Sequence, residues 1–327
     1  GTVNGTAVSN EKTVQLTIRQ ANVVEALPAG LKDGINYHSD ASKVTLVLTA
    51  PGKQFVYAVG DFNNWTIGDS YQMKQTPDGE KFWLEISNLT SGKEYIFQYW
   101  VEGTLKIGDP YADKVIDPTH DGEISATVYP NLIQHPQPQH GISTVLQTGQ
   151  TPYQWTYPEP VGGHPAKENL VIYELLVRDF VGSHHYKDVI DSLDYLQRLG
   201  VNAIELMPVN EFEANDSWGY NPSYYFAPDK YYGTKDDLKR LIEACHARGM
   251  VVILDIVWNH NYGQSPLVQM YFDKNSGKVT SNSPWFNVES PNNVFSFGYD
   301  FNHESQYTKD LMDRGNLHWL QEYKFDG

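Results

Sequence analysis

Apolar residues in the first 130 positions come in short runs rich in β-branched and aromatic side chains. Turn-forming clusters such as PDG (77–79) and TSG (90–92) separate these runs. Short strands at this spacing are typical of an antiparallel, immunoglobulin-like β-sandwich, which we predict over residues 26–131. We predict residues 1–25 to be the end of a preceding β domain or a linker. The runs that predict strands are KTVQLTIRQ (12–20), KVTLVLTA (43–50), KQFVYAVG (53–60), KFWLEIS (81–87), EYIFQYWV (94–101) and ISATVY (124–129).

The next segment, residues 132–168, shows little periodicity and is rich in proline. Proline fixes the backbone and removes a hydrogen-bond donor, so such clusters punctuate regular structure. We therefore predict a linker or an ordered strap here. The prolines of this segment are Pro136, Pro138, Pro152, Pro158, Pro160 and Pro165.

From Leu170 onward the pattern alternates between apolar runs and stretches with helical spacing. LVIYELLV (170–177), VNAIELMP (201–208) and MVVILDIVWNH (250–260) predict strands, and the continuity of the first predicts burial on both faces. Helices are predicted at 187–199, ended by Gly200, at 234–248 with a Thr234/Asp237 capping box, and at 307–323. Phe325 begins a fourth predicted strand.

This alternation predicts a parallel sheet with right-handed crossovers, either doubly wound or part of a (β/α)8 barrel. Long loops (208–233 and 258–304) follow the strands, whereas Gly200 and Gly249 lead directly into the next strand. Long loops on the carboxyl side alone favour a barrel with its site there. The predicted fold is multidomain, β plus α/β, with an incomplete TIM barrel of about three and a half β/α units over 169–327.

Composition and charge limit the classes of partner that the protein can bind. The formal net charge of −16 disfavours nucleic acid and anionic membranes, and no apolar run of about 18 residues predicts a membrane span. The first residues lack a signal-peptide pattern, which leaves the localisation unknown. The single Cys245 excludes an intramolecular disulfide. The 22 Tyr and 8 Trp offer flat apolar faces with polar tips, which suit sugar rings.

Candidate chemistry lies at the end of the third predicted strand. With a period of two, Asp255 and Asn259 share one face, and His260 follows directly. A carboxylate, an amide and an imidazole would then meet at the mouth of a barrel. Taken alone, this cluster is equally consistent with polar groups that close the end of a strand.

An ordered set of motifs resembles glycoside hydrolase family 13, the α-amylase family. WGYNP (218–222), YFAPDKYYGT (225–234) and DIVWNH (255–260) occur in sequence, and VNAIELMPV (201–209) is similar to the family's second-strand region. The resemblance covers about 169–327. VYAVGDFNNW (56–65) and GDPYAD (108–113) resemble carbohydrate-binding module family 48, where Trp65, Trp83 or Trp100 are either sugar platforms or packing residues.

The resemblance implies a fragment of an α-glucan-acting enzyme with retaining hydrolysis of α-1,4 or α-1,6 glucosidic bonds. It implies that Tyr220 stacks under the sugar ring, that His260 donates a hydrogen bond to a sugar hydroxyl, and that Asp255 holds the nucleophile's neighbours in place. Asn259 resembles a calcium ligand. No cofactor is required, and Ca²⁺ is the one ion that the resemblance suggests.

The family's fourth strand reads roughly DGFRFD, and its final Asp is the nucleophile. The chain stops at Phe325-Asp326-Gly327, so the resemblance implies that both catalytic carboxylates lie beyond Gly327 and that the chain alone is inactive. Asp326 matches the Asp before the Gly and is expected to be structural. The expected partner is an α-glucan polysaccharide or oligosaccharide.

Two other functions stay open. One is a fragment of a 1,4-α-glucan branching enzyme or another glucanotransferase. The usual bacterial branching enzymes have Pro and Gly before the His of DxxxNH, whereas this chain has Trp258-Asn259, which favours a hydrolase. The other is a non-catalytic glucan-binding protein. It is disfavoured because an incomplete barrel leaves an open sheet edge that a finished protein would cover.

Overall fold

The computed structural model of the protein describes residues 2–3, 6–7, 19–136, 140–292 and 294–327. The strand predicted at 12–20 lies outside these residues, except for Arg19 and Gln20, which have no regular structure. The strands of the first half are β1 (Thr2–Val3), β2 (Thr6–Ala7), β3 (Gly34–Tyr37), β4 (Val44–Thr49), β5 (Val56–Gly60), β6 (Lys74–Gln75), β7 (Lys81–Ile86), β8 (Glu94–Val101), β9 (Leu105–Ile107), β10 (Val115–Ile116) and β11 (Ser143–Gln147).

Two antiparallel sheets dominate this half. One has the order β3-β4-β7-β6, and the other has the order β10-β11-β8-β5, with β9 also paired to β8. The strands predicted at 43–50, 53–60, 81–87 and 94–101 are confirmed. Apolar side chains from both sheets, such as Leu46 and Phe97, are fully buried in one core. Whether the pair of sheets is immunoglobulin-like stays a prediction.

The last predicted strand of this half, ISATVY (124–129), is wrong. The segment forms a turn, because the amides of Val128 and Tyr129 both donate to the carbonyl of Ser125 at 2.9 Å. The hydroxyls of Ser125 and Thr127 are also hydrogen bonded to each other, and such local bonds compete with strand pairing. The strand of this region is instead β11, which lies between β10 and β8 and within the segment predicted as a linker.

The second half alternates as predicted. Its strands are β12 (Ile172–Leu175), β13 (Ala203–Leu206), β14 (Asn210–Phe212), β15 (Pro222–Pro228), β16 (Val251–Leu254), β17 (His260–Asn261), β18 (Phe272–Asp273), β19 (Lys278–Val279) and β20 (Tyr299–Asp300). Its helices are α1 (Val177–Phe180), α2 (Tyr186–Ile190), α3 (Leu193–Arg198), α4 (Lys235–His246), α5 (Pro266–Gln269) and α6 (Gln306–Glu322). The helix predicted at 187–199 is thus two short helices.

The strands β12, β13 and β16 form a parallel sheet in chain order. One face of it packs against α2, α3 and α4 in a core that contains Leu206, Val252 and Leu241. The capping box that begins α4 is confirmed, since the Thr234 side chain accepts from the Asp237 amide and the Asp237 side chain accepts from the Thr234 amide. The described strands make an open sheet and no closed barrel.

The opposite face of this sheet is more open than predicted. Glu174 and Glu205 are in register on neighbouring strands, and Ile172 on the edge strand β12 is 49% exposed. The prediction that 170–177 is buried on both faces is therefore wrong. A continuous apolar run does not reveal that β12 is an edge strand with one uncovered face.

The fourth predicted strand is present only as a short extended pairing. The amide of Asp326 donates to the carbonyl of Val252 at 2.8 Å, and the amide of Leu254 donates to the carbonyl of Gly327 at 2.9 Å. The last residues therefore lie beside β16. The Asp326 carboxylate accepts from the Val252 amide and contacts His246 Nε2, which agrees with the structural role expected of it.

The two halves share side-chain contacts. The hydroxyl of Tyr271 donates to the carbonyl of Pro51 at 2.7 Å, and Tyr225 and Phe226 lie in the same core as the two antiparallel sheets. The predicted domain boundaries stay predictions. Among the described residues, no helix combines the length and the apolar character needed to cross a bilayer.

Candidate substrate site

Tyr220 and Asp255 meet at the carboxyl end of the parallel sheet. The Tyr220 hydroxyl donates to Asp255 Oδ2 at 2.6 Å. Asp255 directly follows β16, and its amide donates to the Leu206 carbonyl at 2.9 Å, which fixes the carboxylate at the strand end. Two of the residues that the sequence places in the site are therefore in direct contact.

His260 joins the same cluster through the backbone of Tyr220. Its Nε2 lies 2.7 Å from the Tyr220 carbonyl oxygen, so this nitrogen carries the hydrogen and donates. Its Nδ1 is buried and has no hydrogen-bond partner among the described residues. The imidazole thus binds the backbone of the loop that carries Tyr220 through Nε2, whereas Nδ1 makes no hydrogen bond to the described residues.

A close approach of two backbone segments positions Tyr220. Gly219 has φ +88°, and a Cβ there would lie 2.6 Å from Cβ of Pro208. Only glycine adopts this left-handed conformation without strain and without this clash. The chain therefore turns back over the end of β13 at Gly219, which brings Tyr220 towards Asp255.

The electrostatics keep the Tyr220 hydroxyl protonated. Burial raises the pKa of Tyr220, and the hydrogen bond to Asp255 and the negative charges of Asp255, Glu174 and Glu205 raise it further. A neutral phenol beside a carboxylate donates its hydrogen to the carboxylate. Tyr220 as a residue is nevertheless 36% exposed, so it lies partly in solvent while its polar tip is anchored.

Asn259 does not join this cluster in the same way. It is exposed, and its backbone carbonyl accepts from the Phe301 amide at 3.1 Å. Calcium needs six to eight oxygen ligands, and this position offers one exposed amide oxygen. Calcium binding at Asn259 stays a prediction. A separate group with metal-ligand geometry, Glu159, His164 and Asp326, lies beside the last residues of the chain.

Two groups of charged residues were not predicted from the sequence. Glu174 and Glu205 lie on the open face of the sheet. Their negative charges contribute to the raised pKa of Tyr220. A buried group, which we call the Lys230 cluster, consists of Lys230, Glu211 and Asp121. The Lys230 ammonium lies 2.5 Å from Glu211 Oε1 and 3.3 Å from Asp121 Oδ1. The only signal in the sequence was charged residues inside otherwise apolar segments.

The candidate sugar platforms of the first half are largely occupied by protein. Trp83 is buried, and its indole donates to the Glu25 carbonyl. Trp65 donates to Asp61 and packs against the His140 ring. Trp100 is half-buried and lines a cavity of about 200 Å³, with the Lys106 ammonium 4.9 Å from its ring centre. Trp83 is thus buried, whereas Trp65 and Trp100 are both half-buried.

Comparison with known proteins places the site residues in a recognised domain. Residues 179–319 match the family model "Alpha amylase, catalytic domain". The chain is 28% identical over 264 residues to the malto-oligosyltrehalose trehalohydrolase of Saccharolobus solfataricus. This alignment covers 79% of this chain and 39% of that protein. The chain is 29% identical over 289 residues to the 1,4-alpha-glucan branching enzyme GlgB of Rhodopseudomonas palustris, with 87% and 37% covered.

The fold is shared with a solved structure, pullulanase type I from Bacillus subtilis complexed with maltose. The TM-score is 0.64 at 24% identity, and the match covers 90% of this chain and 42% of that one. The chain spans about two fifths of the length of these relatives. Tyr220, Asp255 and His260 all lie within the matched residues. The segment from 179 to 319 therefore belongs to the α-amylase family of catalytic domains.

Proposed function

We propose that the chain is part of an α-glucan-acting, retaining glycoside hydrolase of the α-amylase type. The observation that carries this proposal is the contact of Tyr220, Asp255 and His260 at the carboxyl end of the parallel sheet, within the segment that matches the α-amylase catalytic domain. The names of the relatives, a 1,4-alpha-glucan branching enzyme and a maltose-bound pullulanase, support an α-glucan as the substrate class.

The proposed architecture is an immunoglobulin-like sandwich over 26–131, a strap over 132–168 and the start of a (β/α)8 barrel over 169–327. Three parallel strands in chain order, with α2, α3 and α4 on one face, support the barrel. A doubly wound sheet would place helices on both faces. Active sites of such barrels lie at the carboxyl ends of the strands, which is where Asp255 is found.

Tyr220 is proposed to stack under a sugar ring. The residue is partly exposed, whereas its hydroxyl is fixed on Asp255, so the ring is held in place before the sugar binds. Less conformational entropy is then lost on binding. Asp255 positions Tyr220 and is expected to hold the groups around the nucleophile.

The role of His260 is adjusted by its geometry. The resemblance implies that His260 donates to a sugar hydroxyl, and donation from Nε2 would break its hydrogen bond to the Tyr220 carbonyl. Two arrangements keep that bond. Neutral His260 accepts a hydroxyl hydrogen at Nδ1, or the protonated ring donates from Nδ1. Because Nδ1 is buried, a sugar contact in either arrangement requires a movement that opens this side of the ring, whereas Nε2 keeps the Tyr220 loop in place.

Retaining hydrolysis needs a nucleophile and an acid/base carboxyl about 5–5.5 Å apart. We propose that both groups lie outside this chain, and that its own residues bind and orient the sugar. The share of the relatives' length that the chain spans supports this proposal. No step of the proposed mechanism passes through calcium.

The test combines activity and binding on the 327-residue chain. We expect no release of reducing sugar from soluble starch or pullulan, and we expect maltotetraose binding by titration calorimetry. Tyr220→Ala should weaken binding about tenfold, because the stacking face is lost, whereas Tyr220→Phe should retain most of the affinity. Reducing-sugar release at an ordinary turnover would overturn the assignment of the catalytic groups, and equal affinity in Tyr220→Ala would overturn the role of Tyr220.

The branching-enzyme relative supports a transferase as the second candidate. An assay of the protein encoded by the complete gene distinguishes a hydrolase from a branching enzyme. A hydrolase raises the number of reducing ends in amylose, whereas a branching enzyme introduces α-1,6 links while that number stays constant. Formation of branches without new reducing ends would replace the hydrolase in this proposal.

A further inference from the structure

Two potential metal ligands flank a turn in the segment that precedes β12. Gly163 in this turn has φ +83°, and the amide of Val161 donates to the carbonyl of His246, the last residue of α4, at 2.8 Å. The turn is therefore attached to the end of α4. It brings the side chains on either side of it together, with Glu159 Oε2 3.5 Å from His164 Nε2.

A third potential ligand comes from a distant part of the sequence. Asp326 lies beside β16, and its Oδ1 is 2.7 Å from His164 Nε2. One ligand atom from each of Glu159, His164 and Asp326 lies within 4.8 Å of the other two. We call these three residues the Asp326 group. Two carboxylates and one imidazole therefore meet in a small volume.

The Asp326 carboxylate is held in one orientation by groups behind it. Its side chain is only 6% exposed. Oδ2 accepts from the Val252 amide at 2.7 Å and lies 3.1 Å from Nε2 of His246, whose Nδ1 lies 3.0 Å from the Tyr157 carbonyl oxygen. Oδ1 faces His164. Carboxylates that bind metal ions are typically fixed in this way by hydrogen bonds on the side away from the ion, so Asp326 is oriented in advance.

The chemistry of the three ligands selects the kind of ion. Zinc is bound by histidine nitrogen together with Asp or Glu oxygen, and imidazole also suits copper, iron and nickel. Calcium and magnesium take oxygen ligands. The two carboxylates of the Asp326 group carry two negative charges, which balance the charge of a divalent cation. The group therefore favours Zn²⁺ over Ca²⁺.

The distances within the Asp326 group are close to those of a zinc site. Zinc bonds of about 2.0–2.2 Å in a tetrahedral arrangement place neighbouring ligand atoms about 3.3–3.6 Å apart. The separation of Glu159 and His164 meets this value, whereas the hydrogen bond between His164 and Asp326 has to open by about 0.6 Å. The side chains of Glu159 and His164 are 70% and 50% exposed, so both have room to adjust, and water can take the fourth position.

We propose that Glu159, His164 and Asp326 bind one Zn²⁺ ion, with water as the fourth ligand. The ion would tie the segment before β12 to the last residues beside β16. Asp326 contacts Val252, the second residue of β16, whereas Asp255 follows the last residue of that strand. The metal site is thus separate from the candidate substrate site. It goes beyond the proposed function, because an ion bound here stabilises the fold and touches no sugar.

The test is titration calorimetry of ZnCl₂ into the 327-residue chain, after EDTA has removed bound metal and dialysis has removed the EDTA. We expect one Zn²⁺ per chain and much weaker binding of CaCl₂. His164→Ala and Glu159→Gln should each weaken Zn²⁺ binding more than about tenfold, since even partners outside the coordination sphere are worth about 10- to 100-fold. Both side chains are exposed, so the variants should fold, which circular dichroism checks.

The matched control is His303→Ala. His303 is an exposed histidine outside the Asp326 group, so its replacement should leave the Zn²⁺ affinity unchanged. Thermal unfolding gives a second measurement, because an ion that binds the folded chain raises its Tm. Zn²⁺ should raise the Tm of the wild type and of His303→Ala, and it should leave the Tm of His164→Ala unchanged.

The outcomes decide this inference without reference to sugar binding. Loss of Zn²⁺ affinity in His164→Ala and Glu159→Gln but not in His303→Ala supports the site. Equal affinity in all four proteins, equal losses in all three variants, or no heat of binding up to about 1 mM Zn²⁺ overturns it. Tighter binding of Ca²⁺ than of Zn²⁺ would overturn the choice of ion. Each of these results leaves the test of the Tyr220 site with maltotetraose unaffected.

Discussion

The loop between β13 and α4 carries two polar clusters in opposite environments. The Lys230 cluster is buried, with Lys230 only 3% exposed, whereas Tyr220 and Asp255 lie partly in solvent. Removing a charge from water costs several kcal/mol unless a partner compensates. The buried cluster therefore depends on complete pairing, and the open cluster can exchange a protein partner for water or for a ligand.

The two clusters have different roles in this loop: one anchors it and the other is exposed on it. Asp121 belongs to the first half of the chain, whereas Glu211 lies in β14 and Lys230 follows β15. The Lys230 cluster thus fixes the base of the loop to both halves of the protein. Tyr220 is carried on the same loop at the open side. A rigid base under an exposed side chain is the arrangement that a binding site requires.

The largest effect is expected from removing the central cation of the Lys230 cluster. Lys230→Ala should lower the free energy of unfolding by about 3–5 kcal/mol, because Glu211 and Asp121 would stay buried without their partner. Urea unfolding followed by fluorescence measures the loss. The control is Lys278→Ala, which removes an exposed ion pair with Glu289 and should cost at most about 1 kcal/mol. Equal losses in both variants would show that burial does not distinguish the clusters.

A buried carboxylate without a bonded cation separates the effect of burial from that of pairing. Asp109 accepts from the Tyr99 hydroxyl and the Tyr111 amide, and burial, partly offset by these bonds, raises its pKa to about 6. The unfolded value is about 3.9. The folded state thus favours the protonated form, so this stabilisation is complete below about pH 4 and is lost as the pH rises to about 6.

The measurement compares the wild-type protein with Asp109→Asn across this window. The stability advantage of the wild type should shrink by about 3 kcal/mol between pH 4 and pH 7, which corresponds to roughly two pKa units. The exposed Asp40 is the control of opposite sign. The hydroxyl and the amide of Ser42 lower its pKa, so the wild type should gain relative to Asp40→Asn as the pH rises. A constant difference for Asp109→Asn would contradict the assigned cause.

The two clusters were not equally predictable from the sequence. Asp255 and His260 share a short motif, and Tyr220 lies in an ordered set of motifs before them, so their meeting could be expected from the order of elements. Lys230, Glu211 and Asp121 come from segments that are distant in sequence. The residue type alone does not show whether a charged side chain is buried or exposed. Tertiary packing alone decides which of the two it is.

The fold shows the same division between local and non-local signals. The capping box of α4 and the strands β4, β7 and β8 follow from local patterns and are confirmed. The edge position of β12 and the pairing of β11 beside β8 depend on which strands lie next to each other. Proline-rich surroundings concealed β11, and the continuous apolar run of 170–177 concealed the open face of β12.

The smallest expected effect is at the open cluster itself. Tyr220→Phe removes the hydrogen bond to Asp255 but keeps the ring, and it should change the free energy of unfolding by less than about 1 kcal/mol, because water can replace the lost donor. Asp255→Asn weakens the same bond, because a neutral amide oxygen is a poorer acceptor than a carboxylate, so the double variant should cost less than the sum. Urea unfolding of the four proteins gives this cycle. A loss as large as that of Lys230→Ala would show that the Tyr220–Asp255 contact holds the fold together and is not a solvent-facing contact available to a ligand.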